Sequence, residues 1–206
     1  MIAALPNLAC LDMEGVLTPE IWVNVAQKTG IDVLRRTTRD EPDYDTLMTW
    51  RLGILREHGL TLADIQRVIG KLEPLPESGE FLSWLRARVP VVVLSDTFYP
   101  FAGPLLEKLG QPALFCNTLD TDAEGRITGY RLRLPDQKRA SVRALRGLNF
   151  RVIAVGDSYN DLSMLEEADD AVLFRPPEAI RQEHPEFPVA ADHRSLREAI
   201  SRLLGD

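Results

Sequence analysis

Four short segments hold most of the chemistry in this chain: Asp12-Met13-Glu14-Gly15-Val16, Ser95-Asp96-Thr97, Lys138, and Gly156-Asp157-Ser158-Tyr159-Asn160-Asp161. Three of them directly follow apolar runs of strand length, at Leu8–Leu11, Val91–Leu94 and Arg151–Val155. Carboxylates gathered at one rim repel each other and are costly to bury unpaired. A divalent cation resolves this, and oxygen donors with no His or Cys nearby suit Mg²⁺. Ser95 and Lys138 then suit a phosphate, one as a hydroxyl donor and the other as a point cation. Phosphoryl transfer asks for an in-line nucleophile, charge neutralisation and protonation of the leaving group. Asp12 can be that nucleophile, giving an aspartyl-phosphate. Glu14, two residues on, can protonate the leaving oxygen and then activate water. Taken singly, the acidic pair also fits a turn, Ser95-Asp96-Thr97 a helix cap, Lys138 a solvated surface, and Gly156-Asp157 a turn before a capped helix. Their order and their placement at element boundaries distinguish a site from these separate readings.

These residues need a scaffold that brings distant strand ends together. The three runs, with Ala171–Phe174 and a weaker one at Ala113–Cys116, do not alternate strictly with polar residues. That predicts central parallel strands buried on both faces. Helical spacing appears at Leu62, Ile65, Val68, Ile69 and Leu72 with Thr61 as N-cap, at Phe81, Leu82 and Leu85, and at Leu105, Leu106 and Leu109 closed by Gly110. It recurs at Val142, Leu145 and Leu148 and at Leu196, Ile200 and Leu203. Strands alternating with helices argue a Rossmann-like α/β sheet with helices on both faces, whose ligands bind beyond the carboxyl ends of the strands. From about Glu20 to Lys71 the pattern is helical with no convincing strand. The expectation is a catalytic core of residues 1–18 and 75–206, with residues 19–74 as a helical cap inserted after the first strand. Gly125 and Gly129, within Thr118–Leu134, predict a small hairpin.

Composition narrows the class. Lys and Arg number 24 against 31 Asp and Glu, a net charge of −7 with no long basic run. A nucleic-acid partner is therefore not expected, and a phosphorylated substrate needs local cations to override the overall field. Cys10 and Cys116 lack disulfide or zinc spacing and read as small buried hydrophobes. The first residues lack the basic region of a signal peptide, and no apolar stretch reaches bilayer length. A cytoplasmic protein without membrane contact is the expectation. Arg35, Arg36, Arg39, Asp43 and Asp45 read as solvated surface, Trp22, Trp50 and Trp84 as packing, and His58, His184 and His193 carry no assigned role.

The four segments, in this order, resemble the motifs of the haloacid dehalogenase-like superfamily of phosphatases, over Leu8 to Leu173. The resemblance implies Mg²⁺ as cofactor, held by Asp12, by the backbone carbonyl of Glu14 and by Asp157, with Asp161 outside them orienting Lys138 or bound water. One departure is Glu14, where the superfamily usually has Asp. The same substitution marks a narrower group: phosphoserine phosphatases that also transfer the phosphoryl group to homoserine. Leu11–Leu17, Pro19-Glu20-Ile21-Trp22, Asp43-Tyr44-Asp45, Leu94–Tyr99 and Gly156–Asp161 are similar to that group. It implies phosphoserine as substrate and homoserine as a second acceptor. Glu20 would take the substrate ammonium and Arg51 its carboxylate, while Ser95, Asp96, Lys138 and Asn160 line the phosphate side. On residue type alone, Glu20 equally fits the first turn of a helix and Arg51 a solvated helix. A phosphatase of another small phosphorylated metabolite, and a phospho-accepting signalling receiver, stay open as alternatives. Dehalogenation fits poorly, since it needs neither metal nor Glu14. Oligomeric state, monomer or homodimer, is left open.

Overall fold

The computed structural model describes residues 5–37, 40–41 and 43–205. The first strand, β1 (Asn7–Asp12), is followed by three helices, α1 (Ile21–Thr29), α2 (Tyr44–Glu57) and α3 (Leu62–Ile69), with a short 3₁₀ turn at Asp32–Arg35. Then come α4 (Ser78–Arg86), β2 (Val91–Phe98), α5 (Tyr99–Lys108), and the hairpin of β3 (Ala113–Thr121) and β4 (Ile127–Arg131). The chain closes with α6 (Gln137–Gly147), β5 (Arg151–Gly156), α7 (Leu162–Glu167), β6 (Asp170–Phe174), α8 (Glu178–Glu183), β7 (Val189–Ala190) and α9 (His193–Leu204).

The strands form one sheet in the order β4-β3-β2-β1-β5-β6-β7, parallel throughout except for the β3–β4 hairpin. Both faces are apolar because alternate strand residues serve two cores. Ala9, Leu11, Val93, Val155, Val172 and Phe174 pack with side chains of α1, α3, α4, α5 and α9. Leu8, Cys10, Val92, Leu94, Val152, Ala154, Ala171 and Leu173 pack with those of α6, α7 and α8. Strand order, not strand direction, reverses at β1, which pairs with β2 on one side and β5 on the other. In such folds the crevice at this switch, beyond the carboxyl strand ends, is where ligands bind.

Between β1 and β2 the described residues of the 20–71 stretch are helical, as expected, with no laddered strand. Thr61 caps α3 reciprocally with Asp64, an arrangement that contributes about 1 kcal/mol. Two sequence expectations need correction. β2 does not stop at Leu94 but continues to Phe98 through an irregular register, so Ser95-Asp96-Thr97 lies within the strand's bulged end. Leu148 falls just past α6 and is exposed, because that helix ends at Gly147. α8 and β7 had no distinct apolar pattern. Among the described residues no helix is long and apolar enough to cross a membrane. Arg39 lies outside the described residues.

Candidate active site

Parallel pairing dictates where the acids go. Leu11 sits opposite Val155, so Asp12 and the Gly156-Asp157 turn leave the sheet side by side. Asp12 itself is level with Leu94, which puts Ser95 next to it at the rim. Two glycines let the segments close in. A Cβ on Gly15, whose φ is +84°, would lie 2.4 Å from an Asp157 carboxylate oxygen. A Cβ on Gly156 would lie 2.3 Å from that of Asp161.

Asp12, Asp157 and Asp161 each present a carboxylate oxygen, all within 4.8 Å of one another. Lys138, on the first turn of α6, reaches into them. Its Nζ lies 2.7 Å from Asp12 Oδ1, 2.6 Å from Asp161 Oδ1 and 3.7 Å from Asp96 Oδ2. The other Asp161 oxygen accepts from the backbone N–H groups of Asp157 at 2.9 Å and Ser158 at 3.1 Å. Asp161 is therefore fixed from both sides and in turn holds Lys138.

The electrostatics follow from burial and crowding. Burial first, then Asp161, holds the Asp12 carboxyl well above its ordinary value despite the Lys138 ammonium. Asp157 is pushed up to about 7 by burial and by Asp161. Burial opposes the Lys138 charge, but Asp12, Asp161 and Asp96 outweigh it and keep the ammonium protonated. Burial would raise Asp96 too, yet Lys138, Asn160 and Gln137 together bring it below the usual carboxylate range. Hard oxygen donors that resist ionising together fit a small divalent cation, which would relieve the repulsion.

Glu14 is not in that cluster. Its carboxylate accepts from Ile21 N–H at 2.8 Å, at the start of α1. Burial and the neighbouring Glu20 push it up to about 8, against the opposing pull of that N–H, Arg51 and Lys138. Asp12, Glu14, Glu20, Arg51, Ser95, Asp96, Lys138 and Asn160 line a single cavity of about 320 Å³. Glu20 is exposed at its mouth and caps nothing with its side chain. Arg51 is buried and stacks on Trp22 with its guanidinium carbon 4.6 Å from the ring centroid. It donates to the Arg36 carbonyl at 2.7 Å, and its Nε has no hydrogen-bond partner among the described residues. Burial lowers its pKa to about 10.

Several residues around the site carried no signal that the sequence reading used. Gln137, just before Lys138, donates to the Ser95 carbonyl and, at 3.2 Å, to Asp96 Oδ1. Asn117 on β3 donates to the Asp96 carbonyl at 3.0 Å. Tyr44 donates to that same carbonyl at 2.9 Å. His193, assigned no role, is buried, with Nε2 2.8 Å from the Val16 carbonyl in the turn after Glu14. Asp43 and Asp45 are not merely solvated: Asp43 caps α2 by accepting from Thr46 N–H at 2.7 Å, and Asp45 accepts from Tyr130 on β4.

Known proteins resemble the chain over most of its length. The family model for haloacid dehalogenase-like hydrolases matches residues 6–169. A Pseudomonas aeruginosa protein named phosphoserine phosphatase ThrH is 55% identical over 191 residues, covering 93% of each chain. A phosphoserine phosphatase of Pseudomonas syringae pv. tomato is also 55% identical over 191 residues, 93% of this chain and 81% of that one. Among solved structures, a phosphoserine phosphatase from T. onnurineus superposes with a TM-score of 0.73 at 26% identity, covering 95% of this chain and 94% of that one.

Proposed function

The chain belongs to the haloacid dehalogenase-like hydrolase family, and from that premise we propose that it is a Mg²⁺-dependent phosphoserine phosphatase working through an aspartyl-phosphate on Asp12. One observation carries this reading. The Asp12 carboxylate, bonded to Lys138, shares its cavity with a buried arginine, Arg51, that has unspent donor capacity. The first serves a phosphate ester and the second an amino-acid carboxylate.

Asp12, Asp157 and the Glu14 carbonyl would hold the cation, which when bound neutralises charge on the transferring phosphoryl group. Ser95 and Lys138 bind the phosphate oxygens, and Asn160 and Asp96 frame that side. Asp12 attacks phosphorus in line. Glu14, retaining its proton to about pH 8, gives it to the departing serine oxygen and then takes one from the acceptor. Arg51 offers its unpartnered Nε–H to the substrate carboxylate, and Glu20 meets the ammonium at the mouth. Residues 19–74 serve as a cap over the strand ends, limiting water during transfer. The narrower group's Glu14 supports homoserine as a second acceptor.

The test supplies phosphoserine and Mg²⁺, with and without homoserine, and quantifies inorganic phosphate and phosphohomoserine. The expected result is phosphate release, with phosphohomoserine appearing when homoserine is present. A stable phospho-Asp without turnover would instead favour a receiver. Turnover of other small phosphate esters but not of phosphoserine would shift the substrate.

A further inference from the structure

Two cavities meet beside Asp96 and Lys138. One is the pocket of about 320 Å³ described above. The other, about 820 Å³, is a groove that runs past Asn117, Leu132, Leu134 and Tyr159. Five residues wall both: Tyr44, Asp96, Lys138, Ser158 and Asn160. Tyr44 is the one of these that comes from the helical segment between β1 and β2. Its phenol spans the seam between them, donating to the Asp96 carbonyl at 2.9 Å, one residue beyond Ser95. Its ring meets Tyr130 of the hairpin edge-on, with centroids 5.9 Å apart. Arg51 lies about two helical turns along α2, on the same face. The helix that carries the substrate-facing guanidinium thus also carries the partition between pocket and groove.

We propose that Tyr44 is a specificity-determining residue: it shields the phosphorylated Asp12 from the groove, and so sets how the phosphoryl group divides between water and an alcohol acceptor. This rests on the aspartyl-phosphate reading above. With either acceptor the P–O bond to Asp12 breaks and its electron pair returns to the carboxylate. A new P–O bond forms to the acceptor oxygen, and the acceptor's proton passes to Glu14. Water is in vast excess over any alcohol, so transfer competes only where water is held back.

The enzyme is loaded from phosphoserine, and separately from p-nitrophenyl phosphate, with Mg²⁺ and either homoserine or glycerol as acceptor. Inorganic phosphate and phosphorylated alcohol are quantified for wild type, Tyr44→Phe and Tyr44→Ala, with circular dichroism confirming the fold. Tyr44→Phe keeps the ring but loses the bond to Asp96, and should raise the hydrolysis-to-transfer ratio about twofold. Tyr44→Ala opens the wall and should raise it about tenfold or more, equally with both donors. A merely structural residue would lower both products in parallel, so an unchanged ratio in Tyr44→Ala overturns the proposal. If wild type transfers to neither alcohol, exchange of labelled water oxygen into inorganic phosphate measures water access directly. Tyr44→Ala should accelerate that exchange, and an unchanged or slower rate overturns the proposal. Failure of phosphoserine alone to load the enzyme would sink only the substrate assignment, because p-nitrophenyl phosphate still reports the ratio. A donor-dependent ratio would remove the shared aspartyl-phosphate and the role of Tyr44 with it.

Discussion

At the scale of single residues, Glu14 and Arg51 carry the most specific expectations. Glu14 is a stronger proton holder than an ordinary carboxyl, pushed up to about 8 by burial and Glu20. It is asked to act twice, as acid for the leaving oxygen and as base for the acceptor. A p-nitrophenolate leaving group needs little protonation, so Glu14→Gln should still be phosphorylated by p-nitrophenyl phosphate and then stall. Rapid-mixing kinetics should show a burst of about one nitrophenolate per enzyme, followed by turnover slowed by about 10²–10⁴. Unchanged steady-state turnover without a burst would remove Glu14 from acid–base work. Arg51 is held ready by Trp22 and the Arg36 carbonyl. A charged hydrogen bond contributes about 1.5–3 kcal/mol, so Arg51→Ala should cut kcat/KM for phosphoserine about 10- to 100-fold more than for p-nitrophenyl phosphate. Equal losses would discredit the clamp. The catalytic acids were legible because their types and order are unusual together. Asn117 and Gln137 were not, because an amide in a strand or at a helix start has no chemistry until the fold sets it against a particular carbonyl.

At the scale of elements, the site depends on how closely turns can approach. The turn after β1 and the turn after β5 touch through Gly15 and Asp157. Gly15→Ala combines a strained positive φ with a Cβ 2.4 Å from the Asp157 carboxylate. It should lower kcat by about 10²-fold or more through displacement of Asp157, while Tm falls by only a few degrees. Near-wild-type kcat would mean that the two turns need not be this close. The apolar runs located β1, β2, β5 and β6 because buried parallel strands lack polar alternation and stand out. The end of β2 is not legible because Ser95-Asp96-Thr97 is polar, and its strand-like backbone is held by neighbours such as Asn117, Gln137 and Tyr44. β7 is two residues long and exists through pairing with β6, a tertiary effect that leaves no pattern. His193 escaped notice for the same reason: its link from α9 to the Val16 carbonyl spans 177 residues.

At the scale of the whole molecule, a net charge of −7 and a buried cluster of acids make stability depend on pH and on the cation. Asp12, Asp157 and Glu14 all have folded-state pKa values raised by burial and by neighbouring carboxylates. The folded state then binds protons more tightly than the unfolded chain. Their contribution is full below the ordinary carboxylate range and is lost as pH rises through about 7 for Asp157 and about 8 for Glu14. Mg²⁺ competes with the protons on Asp12 and Asp157, so its stabilising effect should grow as pH rises through about 7. Thermal unfolding with a fixed excess of Mg²⁺ should show a larger gain in Tm near pH 8 than at about pH 5. A gain that is equal at both, or larger in acid, contradicts a cation held by the Asp12 and Asp157 carboxylates. Helix–strand order makes the general architecture legible, whereas the separation of pocket from groove by Tyr44 emerges only from the assembled chain.

If Asp12 carries the phosphoryl group between donor and acceptor, the enzyme caught in turnover must hold that group on this residue. Acid-quenching during turnover of ³²P-phosphoserine and mapping the labelled peptide reads its position. Hydroxylamine-labile label should appear on the peptide containing Asp12 and be absent in Asp12→Asn. Undiminished turnover in Asp12→Asn, or hydroxylamine-resistant label on a different segment such as that of Ser95, would rule Asp12 out as the carrier.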